Sequence, residues 1–577
     1  SPGDFALSVA AGRLCAGLQR YVEAIQYLEP AAARATWDPE IAYYLGLAYD
    51  GAGDHAKARL AYETAARMPS WRAAASLKLG ELLARDGDRE GALPFLHAAQ
   101  SDLRAAEEAI ALESEPNHDR LSRDRKGAVS PLSAFLAWDD GPRNEPALLR
   151  FLGADPARVL EIAAEYMRLG LYRPAADLLA QDFPSVPPDE AEPGAVLPQQ
   201  DPLVAYYRGY CRAKLGESAA ADYATAQNLS TLYVFPSRAE DLEVLRAAVR
   251  ANPDDMTAHY LLGTQYFARG LTDDALKEWN VARHAQAPIP VLHADLGRVM
   301  LREKHDSSGA LQVFREGLAV DPLNRKLYEG VDEALSLMGR PARELATSLE
   351  RYPDLPHMPA ELVYALALDR AEAQDFDGAL ALFHDRFFPR EEGGTNVRQV
   401  WVEVKILEAL TQAAAGQCNA ALAVVDGIGA ESPGLPFTKD GLAPFVDAPR
   451  TQYLIAQVET GCGRVPQAGE RRRRLAAATG IGDLIWAWGA AKKLDGYNNA
   501  EWTNRMEAAS AQAASGPPYT AGMLELLLGK RSAAWAHFQQ AVLLPDRMMS
   551  HHLSRMAMAG TGLPGYPPPA GNQPPGH

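Results

Sequence analysis

Basic charge, cysteine and long apolar runs are all in short supply in this chain. Lysine and arginine number 57 against 74 aspartates and glutamates, a net charge of −17, and such acidity argues against broad binding to nucleic acid or anionic membranes. The run Arg471-Arg472-Arg473-Arg474 is the local exception; it reads as a solvated helix face or as partners for neighbouring acids rather than as a phosphate site. No run of about eighteen apolar residues occurs, so no membrane insertion is expected. Cys15, Cys211, Cys418 and Cys462 stand singly, without metal-ligand spacing. A Cys418 to Cys462 disulfide is open to the chain if the two segments stack suitably, but reduced thiols are the expected state. Cysteine usage thus leans towards a reducing, cytoplasmic compartment. A secretory signal is also missing. The chain starts Ser1-Pro2-Gly3-Asp4 without methionine, which reads as a processed or cut-out piece of a longer protein.

Catalytic motifs are missing too. Gly522 to Gly529-Lys530-Arg531 has the outline of a phosphate loop, but the glycines are too far apart and Arg531 stands where magnesium needs a hydroxyl. Gly427-Ile428-Gly429 lacks the third glycine of a dinucleotide loop, and no glycine-bracketed serine elbow occurs. His551-His552 has no metal-spaced partner and is placed on a terminal capping helix. Glu391-Glu392 reads as a capping or solvated pair. No catalytic residue, cofactor or metal site is expected.

What the sequence has is a period. Gly12, Gly46 and Gly80 lie 34 positions apart, as do Ala24, Ala58 and Ala92. That interval, with small residues at two fixed slots, is the mark of a tetratricopeptide array. In Ala42-Tyr43-Tyr44-Leu45-Gly46-Leu47-Ala48-Tyr49, Leu45 and Tyr49 share one face of a first helix, and Gly46 admits a close neighbour. Gly53 ends that helix and Asp54 can cap the next. Ala58, Tyr62 and Ala65 then form the stripe of a second helix, and Pro69 closes the unit. The frame recurs at Leu262, Gly263, Ala275 and Trp279, and at Gly297, Ala310 and Phe314 with one extra residue in the turn. Weaker copies run on to Gly529, Ala534 and Phe538. One hairpin cannot bury both of its faces, so neighbours must stack. The expected fold is an all-α tetratricopeptide-repeat α-solenoid, a right-handed superhelix of helical hairpins with loop interruptions.

Proline clusters and lapses of the period divide the chain. N-terminal repeats occupy 1–109 and an irregular connector 110–150. Central repeats follow over 151–344, with a proline- and acid-rich loop at 183–201. Divergent helical repeats take 345–480, with loops at 386–398 and 430–450. Helical repeats and a cap fill 481–563, and a disordered proline–glycine tail takes 564–577.

Four landmarks in order, Asp155-Pro156 to Leu179, Asp201-Pro202-Leu203-Val204-Ala205-Tyr206-Tyr207, Tyr233-Val234-Phe235-Pro236-Ser237-Arg238, and Arg386-Phe387-Phe388-Pro389-Arg390-Glu391-Glu392-Gly393-Gly394, carry a family resemblance. Over residues 1–560 the chain resembles the C-terminal half of large bacterial proteins in which a β-rich domain of unknown function precedes a tetratricopeptide array. Phe388 and Arg390 depart from the histidine and tryptophan common in that family at the last landmark, and Glu391 is extra. Repeat architecture, an acidic surface and the lack of a site favour a non-catalytic protein-interaction scaffold; the resemblance adds the alternative of the accessory helical half of a larger, carbohydrate-related enzyme whose catalytic domain lies upstream. It also names the upstream β-rich domain as one partner.

In this repeat family first helices line the concave face. The resemblance places Tyr43, Tyr206 and Tyr260 at fifth positions, Tyr210 at a ninth and Phe267 at a twelfth. Aromatics there grip an extended peptide, stack on a sugar, or simply pack between hairpins. The expected partner is a protein or peptide at these five residues. The lysine–asparagine clamp for an acidic chaperone tail is absent: the clamp slots offer Val9 and Arg13, Tyr43 and Leu47, Leu77 and Glu81.

Overall fold

The computed structural model of the chain describes residues 5–99, 149, 152–153, 155–184, 196–388, 395–431, 434–435, 437–545 and 547–560. Apart from position 149, the expected connector 110–150 lies outside these residues, as do the 564–577 tail and the centres of the 183–201 and 386–398 loops. All regular structure among the described residues is helical. The chain falls into two compact units, Ser1–Ile289 and Pro290–His577, and that division lies inside the block expected at 151–344.

Unit 1 is built of helix pairs: α1 (Phe5–Gly17) with α2 (Tyr21–Arg34), α3 (Pro39–Gly51) with α4 (His55–Ala66), α5 (Arg72–Arg85) with α6 (Arg89–Ala98), α7 (Pro156–Arg168) with α8 (Tyr172–Leu179), and α9 (Pro202–Lys214) with α10 (Ala220–Ala226). A single helix, α11 (Ala239–Ala251), precedes the pair α12 (Met256–Ala268) and α13 (Thr272–His284). Unit 2 continues with α14 (Pro290–Arg302) and α15 (Ser307–Val320), α16 (Arg325–Leu337) and α17 (Ala342–Leu349), α18 (Ala360–Glu372) and α19 (Phe376–Ala381), and α20 (Val397–Ala414) and α21 (Cys418–Gly427). After the short α22 (Lys439–Val446) come α23 (Pro449–Gly461) and α24 (Val465–Ala476), α25 (Leu484–Ala491) and α26 (Asn499–Ala513), α27 (Pro518–Leu527) and α28 (Arg531–Val542), and a last helix α29 (Met548–Met558). Pro444 falls inside α22, the short helix held by the 430–450 interruption.

Local chemistry accounts for the helix ends. Asp38 caps α3 by accepting from the Glu40 and Ile41 amides, with Pro39 preset at the first helical position. Gly53 takes φ +83° in the turn that follows, where a Cβ would be strained, and Asp54 caps α4 through the Lys57 amide. The small alanine of each second helix, Ala24, Ala58 and Ala92, is fully buried.

The glycine slot is explained by what lies over it. A Cβ on Gly46 would sit 2.5 Å from Cδ1 and Cε1 of Tyr62, one on Gly80 2.6 Å from Leu96 Cδ2, and one on Gly522 2.7 Å from Phe538 Cε1. Gly12 meets Leu28 and Gly263 meets Trp279 in the same way. In these five hairpins the partner comes sixteen positions after the glycine; for Gly297 and Phe314 it comes seventeen, matching the extra turn residue. The repeat interval thus encodes one contact, a bare Cα against a large side chain of the second helix.

Cys418 and Cys462 are disulfide-bonded, with Cα atoms 5.2 Å apart, which corrects the expectation of reduced thiols. The first opens α21 and the second caps α23, so successive hairpin turns are brought side by side and the two cysteines meet. An ion pair between Arg464 and Asp426 (2.7 Å) lies beside the bond. Cys15 and Cys211 are free and buried.

Two outcomes follow from these contacts. Gly46→Leu and Gly263→Leu are each expected to cost about 1–3 kcal/mol by overpacking, read as lowered thermal midpoints; unchanged melts would remove the close-approach assignment. Reducing the disulfide, which closes a 44-residue separation, is expected to cost about 2–4 kcal/mol. Thermal melts with and without reductant measure it, and a Cys418→Ala/Cys462→Ala chain should melt identically under both conditions.

Candidate binding surfaces

The first helices of unit 1 form an inner row, and α11 lies against it. Arg238, at the N-cap of α11, donates from Nε to Glu161 of α7 (3.0 Å) and from its guanidinium to the Ala157 carbonyl (2.8 Å). Glu240 takes Arg168 of α7 at 2.8 Å, and Arg168 also holds Glu165 at 2.7 Å. Asp241 is fully buried; it accepts from the Tyr207 hydroxyl of α9 (2.6 Å) and from the Ser237 and Arg238 amides (2.7 Å each). The turn between α1 and α2 reaches the same place, with Gln19 donating to the Ala239 carbonyl at 2.9 Å. The landmark ending in Ser237-Arg238 is therefore an anchor that seats α11 on the row.

That anchoring decides the fate of the expected aromatic groove. Tyr206 and Tyr210 are 0% and 4% exposed. Tyr206 donates to Asp255 (2.8 Å), the N-cap of α12, and Tyr210 to Glu243 of α11. Tyr260 is buried, and only Phe267, packed against Trp279, is partly open. The open groove expected at Tyr206, Tyr210 and Tyr260 is thus corrected, because α11 and neighbouring hairpins cover the rings and take the hydroxyls of Tyr206 and Tyr210. Tyr43 stands apart from these four; it is half-buried in a cluster with Tyr44 (5.5 Å between centroids) and Trp71 (5.1 Å). Nearby, Arg85 pairs with Asp50 (2.7 Å).

Unit 2 fills its inner row with α29. His552 is enclosed between two carboxylates, its Nδ1 2.7 Å from Glu372 of α18 and its Nε2 3.1 Å from Glu403 of α20. Arg555 holds Asp369 (2.6 Å) and Glu372 (2.7 Å) of α18 and reaches Ser336 of α16 (3.3 Å). Glu403 also takes Arg450 of α23. Burial alone would lower the His552 pKa, but the hydrogen bonds it donates to Glu372 and Glu403 outweigh it and hold the imidazole above its usual range. Against the opposite pull of burial, Arg555 and His552 hold the Glu372 carboxyl down at about 2. His551-His552 is on a terminal helix as expected, yet its role was hidden in the sequence. The available signal was the recurrence of Glu361, Asp369 and Glu372 at helical spacing in the largely apolar α18.

The arginine run behaves as the sequence suggests. Arg471 pairs with Glu459 (3.0 Å) and Arg472 with the Thr460 hydroxyl (2.6 Å). Among the described residues no group of three histidine, cysteine or acidic side chains is placed to hold a metal ion, and no helix is long and apolar enough to cross a membrane.

An open surface does exist on the other side of unit 1. The second helices α2 and α4 flank a cavity of about 260 Å³ whose floor is Ile41, Leu45 and Tyr49 of α3. Thr36 and Asp38 line it on either side of Trp37 in the chain, and Leu60 and Lys57 come from α4. Trp37 and Leu60 are 67% and 64% exposed. Arg67 lies over the Trp37 ring, 5.7 Å from its centroid.

No family model and no curated protein matches this chain. Among solved structures, one of Naa15/Naa10 bound to HypK-THB aligns at 13% identity over 96% of this chain and 91% of that one, with a TM-score of 0.24. Yeast Tom70 aligns at 13% over 97% and 95%, at 0.22, and the P58(IPK) TPR domain at 13% over 89% and 99%, at 0.20. Superpositions at that level carry no argument about this chain; the fold rests on its own hairpins.

Tyr207→Phe removes one donor from a buried carboxylate and is expected to cost about 1–3 kcal/mol. A thermal melt checks this against Phe267→Ala, whose partly open ring should cost less.

Proposed function

We propose that the chain is a non-catalytic scaffold that binds a polypeptide partner, and that in unit 1 the partner seats on the groove between α2 and α4. The carrying observation is the cavity floored by Ile41, Leu45 and Tyr49 with Trp37 and Leu60 exposed beside it. Exposed large apolar side chains grouped at a depression are the common mark of a protein-binding surface. Trp37 supplies a rigid amphipathic anchor, with its aromatic face already engaged by Arg67. Asp38 and Lys57 give the groove a polar edge that orients a bound chain. The Cys418–Cys462 bond favours an oxidising compartment for this scaffold over the cytoplasm.

The test is affinity capture with the full chain as bait, followed by direct titration of the captured polypeptide. Trp37→Ala with Leu60→Asp is expected to weaken binding by at least about 2 kcal/mol, as loss of a central anchor does, with an unchanged far-ultraviolet circular dichroism spectrum. Tyr43→Ala with Trp71→Ala should leave it intact. The reverse result would move the surface to the half-buried aromatic cluster on α3.

A further inference from the structure

α29 enters the first-helix row of unit 2 as a bound cation would. It follows the α27/α28 hairpin as a single helix, packs against α28 and sets Met548, Met549 and Ala557 into the apolar core of unit 2. Its His552 and Arg555, three residues apart and both buried, are the groups that meet Asp369, Glu372 and Glu403. Asp332 Oδ1 and Asp369 Oδ2 are buried without a protein donor, and burial raises both carboxyls above their usual range. A proton shared between them satisfies both. With that proton in place and His552 charged, Arg450, His552 and Arg555 balance Glu372, Glu403 and the singly charged aspartate pair. The cluster is then neutral, the one state in which burying it is inexpensive.

We propose that α29 is a releasable built-in ligand of unit 2, and that the carboxyl row beneath it accepts in its place a partner helix carrying an arginine three residues after a histidine. Departure of α29 gives up its packing on α28 and leaves the α27/α28 hairpin closed. It leaves Asp332, Asp369, Glu372 and Glu403 facing one another on α16, α18 and α20, a row that only a cationic occupant neutralises. The contact joins buried ion pairs, which contribute little net free energy against hydration, to an apolar face of Met548, Met549 and Ala557, so exchange is close to balanced for a helix that restores both.

Rising pH opens the site. The stabilisation from a histidine whose pKa is raised on docking is complete below about 6.5 and is lost as pH climbs through the raised value. Asp369, pushed well up by burial against the pull of Arg555, acts in the same direction when the shared proton leaves. Glu372, at about 2, and Glu403, held below its usual range by Arg450 and His552 against burial, do not titrate in the range where His552 does. Of the other groups packed nearby, Tyr519 of α27 faces Arg450 and Glu403. Glu333 of α16 faces Arg302 and Arg298, and His537 of α28 lies 3.6 Å from Glu525 of α27.

The experiment uses the full chain and a fluorescent peptide with the sequence of residues 547–560. Arg555→Ala, which weakens the built-in ligand and leaves the row intact, is expected to bind the peptide at least tenfold tighter than the parent at pH 7. Adding Glu372→Gln should abolish that gain, and a scrambled peptide should not bind. The parent should take up the peptide better at pH 9 than at pH 6, with hydrogen exchange of the α29 amides, corrected for intrinsic rate, rising in parallel. No uptake by Arg555→Ala although its α29 amides exchange faster would overturn the receptor. Amides of α29 that exchange no faster in the variant or at pH 9 would make α29 a fixed structural cap. If Arg555→Ala fails to fold, the pH series on the parent decides alone. Every variant lies in unit 2, independently of the α2–α4 groove, so either reading can fail by itself.

Discussion

The distance between the two helices of a hairpin is set by a missing Cβ. With Gly46 under Tyr62 and Gly263 under Trp279, a ring rests on backbone, and both rings are buried to within 1%. The fully buried alanine of the second helix, Ala58 or Ala275, keeps the same interface thin. Since each pair leaves its remaining apolar faces for the next, stability passes from neighbour to neighbour. Polar links tighten the stack where the faces meet: Tyr62 reaches Asp50 at 3.5 Å, and Arg85 of the following hairpin takes the same carboxylate at 2.7 Å.

Both units occupy their own inner rows, and they do so with polar chemistry. In unit 1 the seat of α11 is Arg168, Arg238, Tyr207 and Asp241; in unit 2 the seat of α29 is His552, Arg555 and four carboxyls. Burying such groups costs free energy unless each finds a partner. The cost selects one register for the inserted helix, because a slip of one residue strands charges in the interior. A surface ordinarily exposed in helical-hairpin arrays is thereby turned into a second core, and the open apolar ground shifts to the second-helix side, where Trp37 and Leu60 stand out.

The period was legible because its residues act locally. Gly12, Gly46 and Gly80 mark contacts within a single hairpin, so spacing alone reveals them, and the caps at Asp38 and Asp54 follow from the same logic. The inserted helices were not legible, since nothing near Ala239–Ala251 or Met548–Met558 in the chain announces which row will receive them. Tyr206 and Tyr210 show the difficulty well. Their repeat positions predict an exposed face, and only the distant Glu243 and Asp255 explain why the rings are covered. The disulfide was half visible: the cysteines were noted as a pair contingent on stacking, and the stacking is a property of two hairpin turns, 44 residues apart.

That covalent link also makes part of unit 2 a closed ring of chain. A backbone cut anywhere between Cys418 and Cys462, the stretch that contains Pro433, Pro436 and Pro444, does not produce two separable fragments. The pieces stay one molecule, migrating together in a denaturing gel until a thiol is added. A nick in this proline-broken segment therefore leaves the hairpins on either side of it covalently joined.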